Sequence, residues 1–183
     1  MRDLVITQNV TLDGAVEMLD DWFDPLAEDK ELTEEMNRQD EHCDAVLFGR
    51  RTFTDMRGFW PQQTADTTGV TEYLNRTRKY VFSSTLVDPE WQHTTILSGD
   101  PVAEVRRLKE QPGRTIALTG SITLAYPLIE AGLVDEYRMF TYPVVQGRGR
   151  RFYPDGYTVP RLRLLRAASF ASGVTYTAYA PVV

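Results

Sequence analysis

An α/β domain whose strands share one sheet, with an antiparallel hairpin at its C-terminal edge, is the fold class that three features of the sequence predict. Short β-branched apolar runs alternate with segments of helical periodicity along most of the chain. Thr115 to Val145, TIALTGSITLAYPLIEAGLVDEYRMFTYPVV, reads as strand, glycine turn, helix and strand, an order that calls for a parallel pair with a right-handed crossover. Arg163–Ala168 and Val174–Ala180 are consecutive alternating runs around Ser172-Gly173, the pattern of a hairpin that pairs with itself.

The totals bound the rest. With 183 residues, 42% hydrophobic and 25% charged, the chain is long enough for one good core, and no repeat or linker-like shift marks a boundary, so residues 1–183 are expected to form a single domain. A net charge of −6 argues against nucleic-acid binding, which usually needs a basic excess. Cys43 has no partner for a disulfide, and with only His42 and His93 beside it a clustered zinc site cannot be assembled, so no metal is expected. No charged-then-apolar leader opens the chain and no apolar run approaches the roughly 20 residues of a membrane helix; a reducing, cytoplasmic setting is the expectation.

Taken in order, Leu4–Val10 (LVITQNV) is the first strand, and Thr11-Leu12-Asp13-Gly14 is its exit loop, with Asp-Gly as the turn signal. Ala15–Pro25 carries Trp22 and Phe23, rings that either close over the core or line a pocket wall. Asp29–Glu41 suits a helix with Leu32 and Met36 on its inner face, and Glu31, Glu34 and Glu35 complement its dipole. Ala45–Phe48 is an apolar strand buried on both faces, ending in Gly49-Arg50-Arg51-Thr52. A glycine where a strand meets a helix exposes backbone N–H donors, and two guanidinium forks beside it match phosphate oxygens; the alternative is solvated surface.

Met56–Thr68 reads as a loop containing Trp60-Pro61, and Val70–Arg76 as a short helix. Lys79–Ser83 is the third strand, running into Ser83-Ser84-Thr85, whose hydroxyls serve either turn chemistry or a ribose and its phosphate. Thr94–Leu97 is a short strand, and Pro101–Glu110 a helix with proline in its first turn and Val105 and Leu108 inward, stopped by Gln111-Pro112-Gly113. Thr115–Leu118 then leads into Thr119-Gly120-Ser121, with Ser121 the expected N-cap of a helix that tolerates Pro127 and stops at Gly132. Glu136–Tyr142 is the following strand, and Gln146–Arg151 (QGRGRR) a glycine-arginine loop facing solvent, ligand or partner. Three strand ends, at Gly49–Thr52, Ser83–Thr85 and Gly120–Leu124, thus meet one sheet edge, a span that suits a dinucleotide although no G-x-G-x-x-G follows the first strand.

LFGRRTF, KYVFSSTL and TIALTGSITLAYPLIEAGLVDEYRMFTYPVVQGRGRRF resemble the signature blocks of the dihydrofolate reductase-like superfamily, in particular its RibD C-terminal reductase branch, over most of the chain. The resemblance implies a three-layer fold with a mixed, mostly parallel sheet of about eight strands, bound NADPH, hydride transfer to a heterocyclic or ribose-derived small molecule, and a homodimer. By matching position, Gly49, Arg50, Arg51 and Thr52 would hold phosphates; Ser83, Ser84 and Thr85 the adenosine side; Gly120, Ser121, Ile122, Thr123 and Leu124 the pyrophosphate. Asp13 would lie near nicotinamide and substrate; the expected substrate wall, Asp13–Phe23 with Trp22 and Phe23, Leu32–Glu35, and Trp60, is where the chain departs most from the family pattern. Folate reductases carry an acid in the first long helix; here Thr33 is nearest by spacing with Glu34 adjacent, so Asp13 and Glu34 are the catalytic candidates. Arg57, Arg148 and Arg150 are candidates for a substrate phosphate, as in 5-amino-6-(5-phosphoribosylamino)uracil reduction. The deaminase half of the bifunctional riboflavin enzymes has no counterpart in the sequence. The alternative is a nucleotide-binding dimeric module without turnover.

Overall fold

A computed structural model describes residues 1–159 and 161–182. In chain order the elements are β1 (Leu4–Thr11), α1 (Lys30–Asp40), β2 (Cys43–Gly49), α2 (Arg50–Phe59), a 3₁₀ turn at Trp60–Gln62, α3 (Val70–Arg76), β3 (Arg78–Phe82), β4 (Thr94–Leu97), α4 (Pro101–Glu110), β5 (Thr115–Thr119), α5 (Ile122–Glu130), β6 (Glu136–Tyr142), β7 (Leu162–Ser169) and β8 (Thr175–Pro181). They form one mixed sheet in the order β4-β3-β2-β5-β1-β6-β8-β7. The first six of these pair in parallel, whereas β8 runs antiparallel to β6 and β7 antiparallel to β8. The predicted fold class, including the edge hairpin, is the observed one.

Two helical layers follow from strand alternation. Ala45 and Leu47 of β2 face α4 and α5, packing with Val105, Leu108, Leu124 and Leu128. Val46 and Phe48, one position out of phase, face α2 and α3 with Phe53, Tyr73, Leu74 and Trp91. Leu32 of α1 covers Phe140 and Tyr176 on that second face. Each large side chain buried this way contributes about 1.5–3 kcal/mol, which is why the central strands read as continuous apolar runs. The chain first winds outward from β1 to β2, β3 and β4, then returns through α4 to insert β5 between β2 and β1, and α5 carries it on to β6. The winding direction therefore reverses beside β1 and β5, and the carboxyl ends of the parallel strands line one edge at the reversal.

Three local expectations change, and one buried charge adds to them. Residues Met56–Phe59 complete α2 and Trp60–Gln62 form the 3₁₀ turn, so the predicted loop begins later. Ser121 precedes α5 as expected, but in the left-handed conformation (φ 48°), and its hydroxyl does not cap its own helix. Glu35 does not serve the α1 dipole: it is 4% exposed and accepts from Gln39 and from Arg166 of β7, beside the Arg38 guanidinium. Lys79 lies fully inside the sheet, where its ammonium donates to the carbonyls of Leu74 (2.6 Å) and Thr77 (2.9 Å) and sits over the Trp91 ring. Burial pushes that ammonium down to about 8.

Candidate functional site

The centre of the carboxyl edge is an interlock between two strand-to-helix turns. The Gly49 N–H donates to Ser121 Oγ (2.9 Å), and the Ser121 N–H donates to Thr52 Oγ1 (3.0 Å), so the starts of α2 and α5 hold each other. Gln8, buried in β1, donates from its side-chain amide to the Gly120 carbonyl (2.6 Å) and ties the turn to the next strand. Gly120 is left-handed (φ 57°), and a Cβ there would come within 2.8 Å of Thr52 Cγ2. Neither α2 nor α5 has a side-chain cap or an acidic residue in its first turn, whereas α1 and α4 are capped by Asp29 and Asp100. Two adjacent helix starts therefore offer uncapped N–H donors and their dipole ends to one spot, a geometry that suits an anion.

Gly120→Ala is expected to destabilise the fold by about 1–3 kcal/mol through left-handed strain and the Thr52 clash. Thr52→Ser, which removes Cγ2 and keeps the acceptor for Ser121, should restore part of that loss. Thermal melts of the single and double variants check it, and equal midpoints for the single variant and the double would show that the clash contributes nothing.

Beside the interlock, an open groove of about 460 Å³ is lined by Arg50, Ser83, Ser84, Thr85, Ser98 and Gly99, with Phe82 and Leu97 at its floor. Ser83 Oγ accepts from the N–H groups of Thr85 (3.1 Å) and Leu86 (2.9 Å), which is turn chemistry and fixes the loop. Ser84 and Thr85 are exposed, as is Arg50 at the start of α2. Arg50 and the Ser83–Thr85 stretch thus line one groove.

On the other side of the interlock, the exit of β1 is stitched to the 146–151 loop. Asp13 accepts from Thr11 Oγ1 (2.6 Å) and from the N–H groups of Gly147 (2.7 Å) and Gln146 (3.1 Å). Those donors, Thr11 foremost, hold its carboxyl well below the usual range, at about 2, so it is ionised at neutral pH. Gln146 uses its whole amide: Oε1 accepts from Trp22 Nε1 (2.8 Å) and the Leu19 N–H (3.2 Å), and Nε2 donates to the carbonyls of Glu17 (3.0 Å) and Arg148 (2.8 Å). Trp22 and Phe23 then meet Tyr142 at the end of β6, with ring centroids 5.1 and 5.7 Å from it. All three rings are half-buried, so they form an aromatic wall with one face open.

The other candidates lie elsewhere. Trp60 is 6% exposed beneath α2, with Nε1 toward Met56 Sδ and its ring against Phe59, so the structure places it in the second core. Glu34 is exposed on α1, where it pairs with Lys30. Asp13 keeps its place at the β1 exit, where it accepts three hydrogen bonds that favour its ionised form. Arg57 donates to the Pro89 carbonyl and pairs with Glu90, on the α2 side. Arg148 and Arg150 do flank the edge, paired with Asp20 and Glu17. Sequence reasoning passed over Ser98-Gly99, Tyr142, Gln146 and Glu17. Ser98-Gly99-Asp100-Pro101 carried a usable signal, a further strand-to-helix turn with a glycine and an N-cap.

Comparison with known proteins agrees with this architecture. Residues 2–176 match the RibD C-terminal domain. YyaP, an uncharacterised protein of Bacillus subtilis (strain 168), is 32% identical over 186 residues, covering 97% of this chain and 94% of that protein; YwjB of the same organism is 26% identical. A crystal structure of a putative riboflavin biosynthesis protein from Shewanella sp. PV-4 has a TM-score of 0.76 at 15% identity over 99% of both chains. A deaminase/5-amino-6-(5-phosphoribosylamino)uracil reductase from Thermotoga maritima gives 0.67 at 19% identity, with this chain spanning 57% of its length. At such identities the structures speak to the fold, while the domain match and YyaP speak to descent: the chain belongs to the RibD C-terminal domain family.

Proposed function

We propose that the protein is an NADPH-dependent reductase that acts on a small heterocyclic or ribose-linked substrate. The observation that carries this reading is the interlock of Gly49, Thr52 and Ser121, which sets two uncapped helix starts side by side at the reversal of the sheet. The residues fit the cofactor: two helix starts without a side-chain cap or an acidic residue in the first turn, and beside them a groove lined by Arg50 and Ser83–Thr85.

In this reading Gly49–Thr52 and Gly120–Leu124 hold the pyrophosphate, and Arg50 with Ser83–Thr85 receives the adenosine side and its 2′-phosphate. When bound, NADPH supplies the hydride. The chain supplies position and exclusion of water, with Trp22, Phe23 and Tyr142 offering a flat face to a planar ring. Asp13 acts as a positioning residue: its ionised carboxylate fixes the Gln146–Gly147 turn, which in turn holds Trp22.

The test is calorimetric titration with NADPH, followed by its oxidation at 340 nm with candidate pyrimidine and pteridine substrates. Micromolar binding with turnover supports the reading; an absence of binding would sink it. One observation favours a second reading, a nucleotide-binding module without turnover: the Asp13 carboxylate is engaged by Thr11 and the Gln146 and Gly147 N–H groups, and Glu34 is exposed beside Lys30. Binding without NADPH consumption on any candidate would favour it.

The reading includes a homodimer through the C-terminal edge. β7 leaves one side of its backbone unpaired in the sheet, and Leu164 and Leu165 on it are 52% and 42% exposed. Light scattering at micromolar concentration is expected to return twice the chain mass, and Leu164→Lys to return the single mass.

A further inference from the structure

We infer that Glu17 is an internal stand-in for a ligand anion, a carboxylate latch that holds the 146–151 loop across the edge until a phosphate-bearing ligand displaces it. The inference rests on the reading of this edge as a phosphate site. Both oxygens of Glu17 are committed to one residue: Oε2 accepts from the Arg150 N–H (2.8 Å) and Oε1 from Arg150 Nε (2.8 Å). The same guanidinium donates from Nη1 to Thr123 Oγ1 (3.0 Å), in the first turn of α5, so the pair lies directly over one of the two uncapped helix starts. Arg51, at the start of α2, adds its charge to the field at Glu17. A carboxylate that holds a guanidinium, which itself reaches the first turn of an uncapped helix, occupies the kind of place a phosphate takes.

The latch is built to give way. Glu17 and Arg150 side chains are 25% and 43% exposed, and exposed ion pairs hold weakly. Between two anchored ends, Asp13 on the Gln146 and Gly147 N–H groups and Tyr126 Oη on the Arg151 carbonyl (2.7 Å), the backbone around them is joined by the Val16 N–H to the Arg150 carbonyl (2.9 Å), the Ala15–Arg151 bridge, and the Gln146 amide on the Glu17 carbonyl. Arg148 with Asp20 repeats the arrangement one turn outward. Because Gln146 also holds Trp22 Nε1, release of the strip reaches the aromatic wall. A phosphate-bearing ligand would thus take Arg150 from Glu17 and loosen the wall in the same event.

The sign of one substitution decides between a latch and a brace. With Glu17→Gln, pyrophosphate and NADPH are expected to bind about 5- to 10-fold more tightly than to the unaltered protein, since the competing charge is gone. If Glu17 instead braces Arg150 for the ligand, the same variant binds more weakly, and weaker or unchanged binding overturns the latch. Emission from Trp22, isolated by subtracting the Trp22→Phe variant, gives a second readout: ligand-free Glu17→Gln should already resemble the pyrophosphate-bound unaltered protein. Identical spectra for the two ligand-free proteins would also overturn it. Tight NADPH binding by both, without a difference, removes the latch and leaves the reductase reading standing. Failure of both to bind pyrophosphate or NADPH removes the reductase reading, and the latch with it.

Discussion

Replacing Arg50 with alanine is expected to weaken NADPH by roughly 10- to 150-fold while leaving NADH nearly unchanged, because a charge-assisted hydrogen bond contributes about 1.5–3 kcal/mol. The 2′-phosphate is nearly a dianion, and the groove that would receive it is lined by Arg50 together with Ser83, Ser84 and Thr85. A site for NADH would put a carboxylate there to hold the free 2′-hydroxyl, and the residues lining this groove include none. Arg51 is exposed one position on and can take over part of the contact, so Arg50→Ala with Arg51→Ala should give the full loss of selectivity. Affinities for both cofactors on both variants check it. An equal loss for NADH and NADPH would place the arginines on the shared pyrophosphate instead.

Asp40→Asn should stabilise the fold by about 2 kcal/mol at pH 8 and by very little at pH 4. Asp40 is the last residue of α1, where the helix dipole already disfavours negative charge. Burial pushes its carboxyl up from 3.8 to about 7, and Arg76 and Arg138 nearby offset only part of that. The sign follows from proton counting: between about pH 4 and 7 the folded chain holds a proton that the unfolded chain has released, so this group's contribution to stability falls as pH rises through that window. Below it both states are protonated; above it the folded state carries a buried charge. Asparagine cannot carry that charge. Urea unfolding at pH 4, 6 and 8 would show the gap between variant and unaltered protein opening with pH, and a constant gap would mean that Asp40 is ionised throughout.

Much of the fold was legible because it is written in local chemistry. Apolar runs bounded by glycine and proline gave β4, α4 and β6 with the boundaries later observed, since Pro101, Gly113 and Gly132 act on their own backbone whatever surrounds them. The candidate edge was legible at Gly49-Arg50 and Gly120-Ser121 for the same reason. What was not legible depends on partners distant in sequence. Nothing near Ser121 tells that its hydroxyl serves Gly49 and not its own helix. Nothing near Glu35 tells that Arg166 of the last hairpin will bury it. Trp60 and Trp22 look alike in sequence, yet the 3₁₀ turn at Pro61 folds one ring under α2, while the Gln146 amide holds the other at the edge.

The interlock also sets when a ligand can act during folding. Gly49 and Ser121 are 72 residues apart, and β5 must insert between β2 and β1 before their contact exists. In the proposed reading both turns contribute donors, so the chain is expected to gain affinity for the cofactor only once that long-range pairing is made. The entropic cost of closing so large a loop falls early and its reward arrives late, which makes β5 insertion the expected slow step. A ligand that recognises only the completed interlock cannot speed that step; it can only keep the product from reopening. Its influence should therefore appear in the unfolding rate, with the folding rate unmoved.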